Sequence, residues 1–138
     1  LMTVTSVQGN LPQLLLVEPD NMVRSTVASV CRGLDLAQVH QAASLAIGQQ
    51  MLQAQRMDAL LLSLAEGEAA VALIERLREA RPEMPVSVMT ASADADTVRR
   101  LKALGIRRLL LQPFKIRDVV MTVEALCAIA PLEVTSGS

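Results

Sequence analysis

The chain has 138 residues, of which 51% are hydrophobic and 20% are charged, and its formal net charge at pH 7 is -1. This length suits one domain with a sizeable core, and the composition excludes a disordered chain. No apolar run approaches the roughly 20 residues that span a bilayer, and the balanced charge gives no general attraction to nucleic acid.

The two ends of the chain differ from its middle. Residues 1–12 mix Thr, Ser, Gly, Asn and Pro without a sustained period, and we predict a flexible N-terminal segment there. Residues 131–138 form a second predicted flexible tail, so the domain covers 13–130. The first ten residues lack a basic cluster followed by a long apolar segment, and we therefore expect a cytoplasmic protein.

Short apolar runs alternate with segments of helical period, which predicts repeated β-α units. The first unit has a strand at 13–17 and a helix at 21–32, with Asp20 as its N-cap and Gly33 at its end.

The second and third units continue the alternation. A strand at 36–40 precedes a helix at 44–55, and the next strand, 59–64, is apolar on both faces except for Ser63. A strand of that kind belongs in the middle of a parallel sheet, where neither face meets water. The helix at 68–80 follows it.

The fourth and fifth units complete the pattern. A strand at 86–89 ends at Thr90, either Ser92 or Asp94 starts the next helix, and a strand at 108–111 leads to a last helix at 116–130. Five such units predict an α/β fold with a doubly wound, five-stranded parallel sheet whose ligand crevice lies at the carboxyl ends of its strands.

Cysteine and glycine usage adds little chemistry. Cys31 and Cys127 have neither metal-ligand spacing nor the density of a disulfide scaffold, and we predict buried, reduced thiols. The glycines are isolated, so a glycine-rich phosphate loop is not predicted.

Four segments, in order and at matching spacing, resemble the receiver domains of response regulators. They are LLLVEPDNMVR (14–24), MDALLLSL (57–64), PVSVMTA (85–91) and LLLQPF (109–114). The resemblance covers nearly the whole predicted domain. It implies a flavodoxin-like or CheY-like sheet with strand order 2-1-3-4-5.

The resemblance also implies a reaction whose parts are missing here. In the family, an Asp on the central strand accepts a phosphoryl group, two acidic residues after the first strand hold Mg²⁺, and a Lys precedes Pro after the fifth strand. This chain has Ser63 at the acceptor position, Glu18 and Pro19 at the acidic pair, and Gln112 at the Lys. Phosphoryl transfer needs the metal and the cation to neutralise charge, so we expect no such transfer.

Three further residues bear on this degenerate pocket. Thr90 is retained from the family pattern, whereas Leu109 stands where many receivers have an aromatic residue. The bond before Pro113 is predicted to be cis, as is common in the family. Ser63 and Gln112 are expected to fill the pocket as neutral polar groups, bonded to each other, to Thr90 or to backbone.

The position of Asp20 leaves two interpretations open: a substitute metal ligand, or the N-cap of the first helix, which we favour. We expect no cofactor, no metal site and at most weak Mg²⁺ binding.

A basic segment follows the fourth predicted strand and includes no acidic residue before Asp118. Its members are Arg99, Arg100, Lys102, Arg107, Arg108, Lys115 and Arg117. The resemblance makes the fourth helix, fifth strand and fifth helix the candidate surface for a protein partner, an output domain or a homodimer, although a merely solvated surface remains open. Nucleic acid is not favoured, because the segment lacks aromatic stacking residues.

Two hypotheses of different class remain. The first is a phosphorylation-independent receiver that acts as an interaction or dimerisation module and is not an enzyme. The second is a working phosphoacceptor that uses Asp20 or Glu66 with Mg²⁺. Small-molecule binding at the strand ends is a weaker third, because no phosphate loop supports it.

Overall fold

The computed structural model describes residues 10–92, 94–106 and 108–128, and within these ranges five strands alternate with five helices. In chain order they are β1 (Gln13–Val17), α1 (Asn21–Gly33), β2 (Gln38–Ala42), α2 (Leu45–Ala54), β3 (Ala59–Ser63), α3 (Glu68–Ala80), β4 (Val86–Thr90), α4 (Ala95–Ala103), β5 (Leu109–Leu111) and α5 (Ile116–Cys127). None of these helices is long and apolar enough to cross a membrane.

The strands form one parallel sheet in the order β2-β1-β3-β4-β5, which confirms the predicted order. All five residues of β3 are buried. The apolar run on both faces of β3 therefore identified the central strand correctly, because such a strand is covered by helices on either side.

The core has two layers, one on each face of the sheet. Leu60 and Leu62 of β3 pack on one face with side chains from α2, α3 and α4. Leu61 points to the other face, where it packs with side chains from α1 and α5. Each fully buried leucine contributes about 2 kcal/mol of hydrophobic stabilisation, so β3 supports both layers.

The second strand begins two residues later than the predicted 36–40. After α1 the chain makes one more turn, in which the amide of Leu36 donates to the carbonyl of Cys31 (2.9 Å). Asp35 adopts a positive φ of 52° there, a conformation that Asp tolerates better than most residues. Gly33 is instead the last residue of α1, so the turn that ends this helix lies two residues beyond the predicted one.

Smaller differences occur at the last two units. Of the two predicted starts of α4, Asp94 is the N-cap, because its Oδ1 accepts from the Thr97 amide (2.8 Å) while the Ser92 amide is bonded to Thr90 Oγ1. The fifth strand begins at residue 109 instead of 108. The last helix ends at residue 127; residues 129 and 130 of its predicted span, like the predicted tail 131–138 and most of the segment 1–12, lie outside the described residues.

The two cysteines are reduced and lie in the layer between the sheet and the α1–α5 pair. Cys31 is fully buried, as predicted, whereas Cys127 is half-buried. Burial raises the pKa of each thiol to about 11, so both remain protonated near neutral pH.

We expect Gly48→Ala to destabilise the protein by about 1 kcal/mol, although alanine is the better helix former. A Cβ at position 48 would lie 2.8 Å from Cγ2 of Val17, a stiff, buried side chain of β1. Gly33→Ala is the matched control, because a Cβ there would meet nothing within 4 Å. Urea denaturation should rank the proteins Gly33→Ala, parent, Gly48→Ala in falling stability; equal or higher stability for Gly48→Ala would contradict the close approach of α2 to β1.

Candidate functional site

A cavity of about 350 Å³ opens at the carboxyl ends of β1, β3 and β4 and beside the chain that leaves β5. In a parallel α/β sheet this edge is where ligands bind. The residues that line it are Glu18, Asp20, Val23, Ser63, Leu64, Ala65, Thr90, Ala91, Ser92 and Gln112. Five of the seven residues predicted for the pocket are thus brought together; Pro19 and Pro113 are outside this lining.

The two acidic residues of the cavity are both engaged with backbone amides. Glu18 is 2% exposed, and its Oε2 accepts from the amide of Asp20 at 3.0 Å. Asp20 Oδ1 accepts from the amides of Met22 (2.9 Å) and Val23 (3.2 Å). Asp20 is therefore the N-cap of α1, which confirms that prediction, and Glu18 in turn fixes the backbone of the cap.

Ser63 ends the central strand and is buried. Its Oγ accepts from the amide of Ala65 at 3.1 Å, so its bonding partner is backbone. The only histidine, His40, contacts Gln13 Oε1 through Nε2 at 2.6 Å on the outer pair of strands. His40 is therefore not placed to activate Ser63 as a nucleophile.

The other side of the cavity is formed by Thr90 and Gln112. Thr90 Oγ1 donates to the carbonyl of Ser92 at 2.7 Å, and the backbone N–H of Gln112 donates to the carbonyl of Thr90 at 2.8 Å. The Gln112–Pro113 bond is cis, as predicted. The side chains of Ser63 and Thr90 thus bond to backbone, as expected for Ser63, whereas Gln112 bonds through its backbone N–H and not through its side chain. No side-chain hydrogen bond joins these three residues to one another.

Glu66, the other acid considered as a phosphoacceptor, is directed elsewhere. Its Oε2 accepts from the amide of Leu45 at 2.9 Å, at the first turn of α2. The positive end of a helix is a favourable place for a carboxylate. No local pattern in the sequence signals this contact, because the two residues are 21 positions apart.

The carboxylates of this cavity do not fit a Mg²⁺ site. Mg²⁺ in proteins is held by oxygen ligands in a near-octahedral shell. Glu18 and Asp20 are the only acids in the cavity lining, and both already accept hydrogen bonds from amides. Among the residues that the structure describes, no three His, Cys, Asp or Glu side chains are grouped to hold a metal.

The cavity lining also contains no lysine or arginine, since Gln112 is a neutral amide. An incoming phosphoryl group would therefore meet the carboxylate of Glu18 without a compensating cation, which is unfavourable. The cavity therefore offers neutral hydrogen-bonding groups and two carboxylates that already bond to amides, without a cation among its lining residues.

A second, apolar hollow of about 590 Å³ lies beside the first and shares Val23, Ala91 and Gln112 with it. Its remaining lining is Met22, Thr26, Pro113 and Phe114. Pro113 therefore belongs to this hollow, and Pro19 is an exposed residue of the loop after β1.

The basic segment is less uniform than its sequence indicates. Arg99 pairs with Asp96 one turn earlier on α4. Arg100 bonds both oxygens of Glu68, at 2.6 and 3.1 Å, and lies 3.8 Å from Glu75. These hydrogen bonds lower the pKa of the Glu68 carboxyl. Both arginines thus have acidic partners from outside the segment 99–117: Asp96 one turn earlier on α4, and Glu68 of α3.

Four further exposed cations of the segment take part in none of these salt bridges: Lys102 on α4, and Arg108, Lys115 and Arg117 before and after β5. Arg107 lies outside the described residues. Two apolar side chains are exposed among them, Leu111 at 52% and Ile116 at 54%. We call these four cations and two apolar residues the basic face.

Comparisons with known proteins agree with this geometry. The model of the response regulator receiver domain family matches residues 14–124. The comparison with curated proteins found no match.

Solved structures share the fold. A response regulator from Thermotoga maritima superimposes with a TM-score of 0.78 at 23% identity, covering 86% of this chain and 99% of the other. The non-phosphorylated HemR receiver domain from Leptospira biflexa gives 0.78 at 21% identity, covering 89% and 99%. The beryllofluoride-activated NtrC4 receiver domain dimer gives 0.75 at 18% identity, covering 83% and 95%.

Proposed function

Because the chain belongs to the response regulator receiver family, we propose that it is a receiver whose signalling does not depend on phosphorylation and which acts as a protein-protein interaction module. One observation carries the proposal: the central strand ends in Ser63, whose Oγ is bonded to backbone, where the family has its phosphoaccepting Asp. In this proposal the domain is not an enzyme, and partner binding sets its state.

The arrangement of the remaining carboxylates supports the same proposal. Asp20 and Glu66 are the acids that could replace the missing acceptor, and each is committed to amides at the start of a helix. Drawing either one away would leave amides of the first helical turn without a partner, at a cost of about 1 kcal/mol per cap. We therefore favour the interaction module over a non-standard phosphoacceptor.

We expect the protein to gain no phosphoryl group when it is incubated with acetyl phosphate and Mg²⁺. The physical reason is that neither a free carboxylate nor a cation is present where the phosphoryl group would be received. Intact-mass spectrometry of the full chain is the measurement. An adduct that disappears in Asp20→Asn or Glu66→Gln would establish the non-standard phosphoacceptor instead.

The basic face is the surface that we assign to the partner. Its cations lie before and after the exposed Leu111 and Ile116 along the chain, and exposed apolar side chains with charged neighbours are typical of a docking site. Because a positively charged surface attracts acidic groups, the expected partner is a protein segment or output domain with acidic and apolar residues.

We expect the Lys102→Glu, Arg108→Glu, Arg117→Glu variant to bind a polyglutamate peptide at least tenfold more weakly than the parent. Its affinity should also respond less to salt, because fewer ion pairs form. The matched control reverses three exposed arginines elsewhere, Arg32, Arg56 and Arg76. Titration calorimetry at two salt concentrations measures both effects. Equal losses in the two variants would show that net charge, and not this face, determines binding.

A further inference from the structure

Charged residues are absent from one part of the chain. Although 20% of all residues are charged, positions 36–55, which include β2 and α2, contain no Asp, Glu, Lys or Arg. The exposed residues of this stretch are glutamines and small or apolar residues: Gln38, Gln41, Ala43, Ala46, Ile47, Gln50, Gln53, Ala54 and Gln55. We call the outer side of β2, together with the exposed residues of α2, the neutral edge.

The outer side of β2 has hydrogen-bonding groups to offer. The amide of Gln38 donates to Pro12 (2.8 Å), and the carbonyl of Ala42 accepts from Glu18 (3.0 Å), so these residues face β1. Because backbone groups alternate in direction along a strand, the N–H and C=O of Val39 and Gln41 point away from β1. Within the described part of the chain, β2 pairs with β1 alone.

An edge strand of this kind is normally protected. Natural sheets place Lys or other charges, Pro or a bulge on exposed edges, because an unprotected edge pairs with another strand. The opposite edge follows that rule, since Arg108 precedes β5 and Lys115 follows it. The neutral edge has none of these devices.

The absence of charge also indicates which strand would pair there. In a two-fold dimer each surface meets its own copy, so a patch of one sign repels itself, as the cations of the basic face would. A glutamine amide carries both donors and acceptors and can bond to another glutamine. The neutral edge therefore fits a second copy of this chain better than the basic face does.

We propose that β2 pairs antiparallel with β2 of a second copy across a two-fold axis, which makes one continuous sheet through both chains. Helices α1 and α2 contact β2, and each contributes exposed apolar surface nearby: Leu34, at the end of α1, is 56% exposed, and Ile47 of α2 is 42% exposed. Such side chains add apolar contacts beside the new backbone bonds. The short strand limits the surface area that the dimer buries, so we expect a dimer dissociation constant in the micromolar range. This inference does not rest on the proposed function.

The test is the dimerisation of the full chain, measured by sedimentation equilibrium. We expect the parent to dimerise and Gln41→Lys to weaken the dimer at least tenfold, because the new ammonium would lie close to its own copy across the axis. Gln41 is exposed and its backbone N–H points away from β1. The hydrogen bonds between β1 and β2, and with them the fold, should therefore be retained, as circular dichroism can verify.

Two further variants separate the explanations. Ala103→Lys adds the same charge at the exposed end of α4, which connects β4 and β5 toward the opposite edge of the sheet, and should leave dimerisation unchanged. Gln41→Pro adds no charge but removes the outward N–H, and should weaken the dimer as Gln41→Lys does. A parent that stays monomeric at about 0.5 mM, or a dimer weakened by Ala103→Lys and not by the Gln41 variants, would overturn the proposal.

Discussion

Replacing Arg78 with methionine is expected to lower the free energy of unfolding by about 3 kcal/mol, since several charge-assisted hydrogen bonds are lost together. The guanidinium of Arg78, in the last turn of α3, donates to the carbonyls of Leu104 (2.6 Å), Met84 (2.6 Å) and Gly105 (3.3 Å). It thereby joins the loop before β4 to the end of α4. Methionine retains much of the apolar stem but leaves these carbonyls without their donor.

Two controls make the Arg78 prediction specific. Arg76→Met removes an exposed arginine two positions earlier on the same helix, and should change stability by less than about 0.5 kcal/mol. Arg78→Lys retains the positive charge but not the planar guanidinium, which reaches several carbonyls at once. Most of the loss in the free energy of unfolding should therefore remain in this variant. Urea denaturation measures all three. If Arg78→Lys is as stable as the parent, the positive charge alone, and not the shape of the guanidinium, stabilises this part of the protein.

The Ser63→Asp, Pro19→Asp, Gln112→Lys variant is expected to make the stability of this domain depend on Mg²⁺. Without metal, two added carboxylates beside Glu18 and Asp20 repel one another, and the protein should lose about 2 kcal/mol of stability. With metal at a hundredfold excess over its dissociation constant, binding should restore about 2.7 kcal/mol. The parent should be insensitive to Mg²⁺.

The same variant should gain a Mg²⁺-dependent adduct from acetyl phosphate, detected by intact mass. The control is Ser63→Asn in the same Pro19→Asp, Gln112→Lys background, which has the shape of the acceptor without its nucleophilic oxygen, and it should gain no adduct. If the triple variant neither binds Mg²⁺ nor takes up a phosphoryl group, the residues at these three positions do not explain why phosphoryl transfer is absent.

The fold was largely predictable from local signals. The apolar pattern of β3 and the cap formed by Asp20 depend on neighbours in the sequence, so their positions could be assigned in advance, and the cap formed by Asp94 was one of two candidates. The start of β2 was misplaced, because the extra turn at Asp35 is fixed by bonds back to α1 and not by a turn-forming residue pattern.

The composition of the cavity was predictable for the same reason, since strand ends meet at one edge of a parallel sheet. The hydrogen-bonding partner of each polar group was not predictable from the sequence. Glu66 bonds to an amide of α2, and Arg100 pairs with acids of α3, across 21 and 32 positions of the chain respectively. Contacts of that range depend on how helices are placed against each other, and no local pattern records them.

The bond from Glu66 to the amide of Leu45 joins two regions of the molecule. Glu66 follows Leu64 and Ala65, which line the strand-end cavity, and Leu45 begins α2, a helix of the neutral edge. A displacement of that loop large enough to break this hydrogen bond would leave an amide in the first turn of α2 without its carboxylate partner.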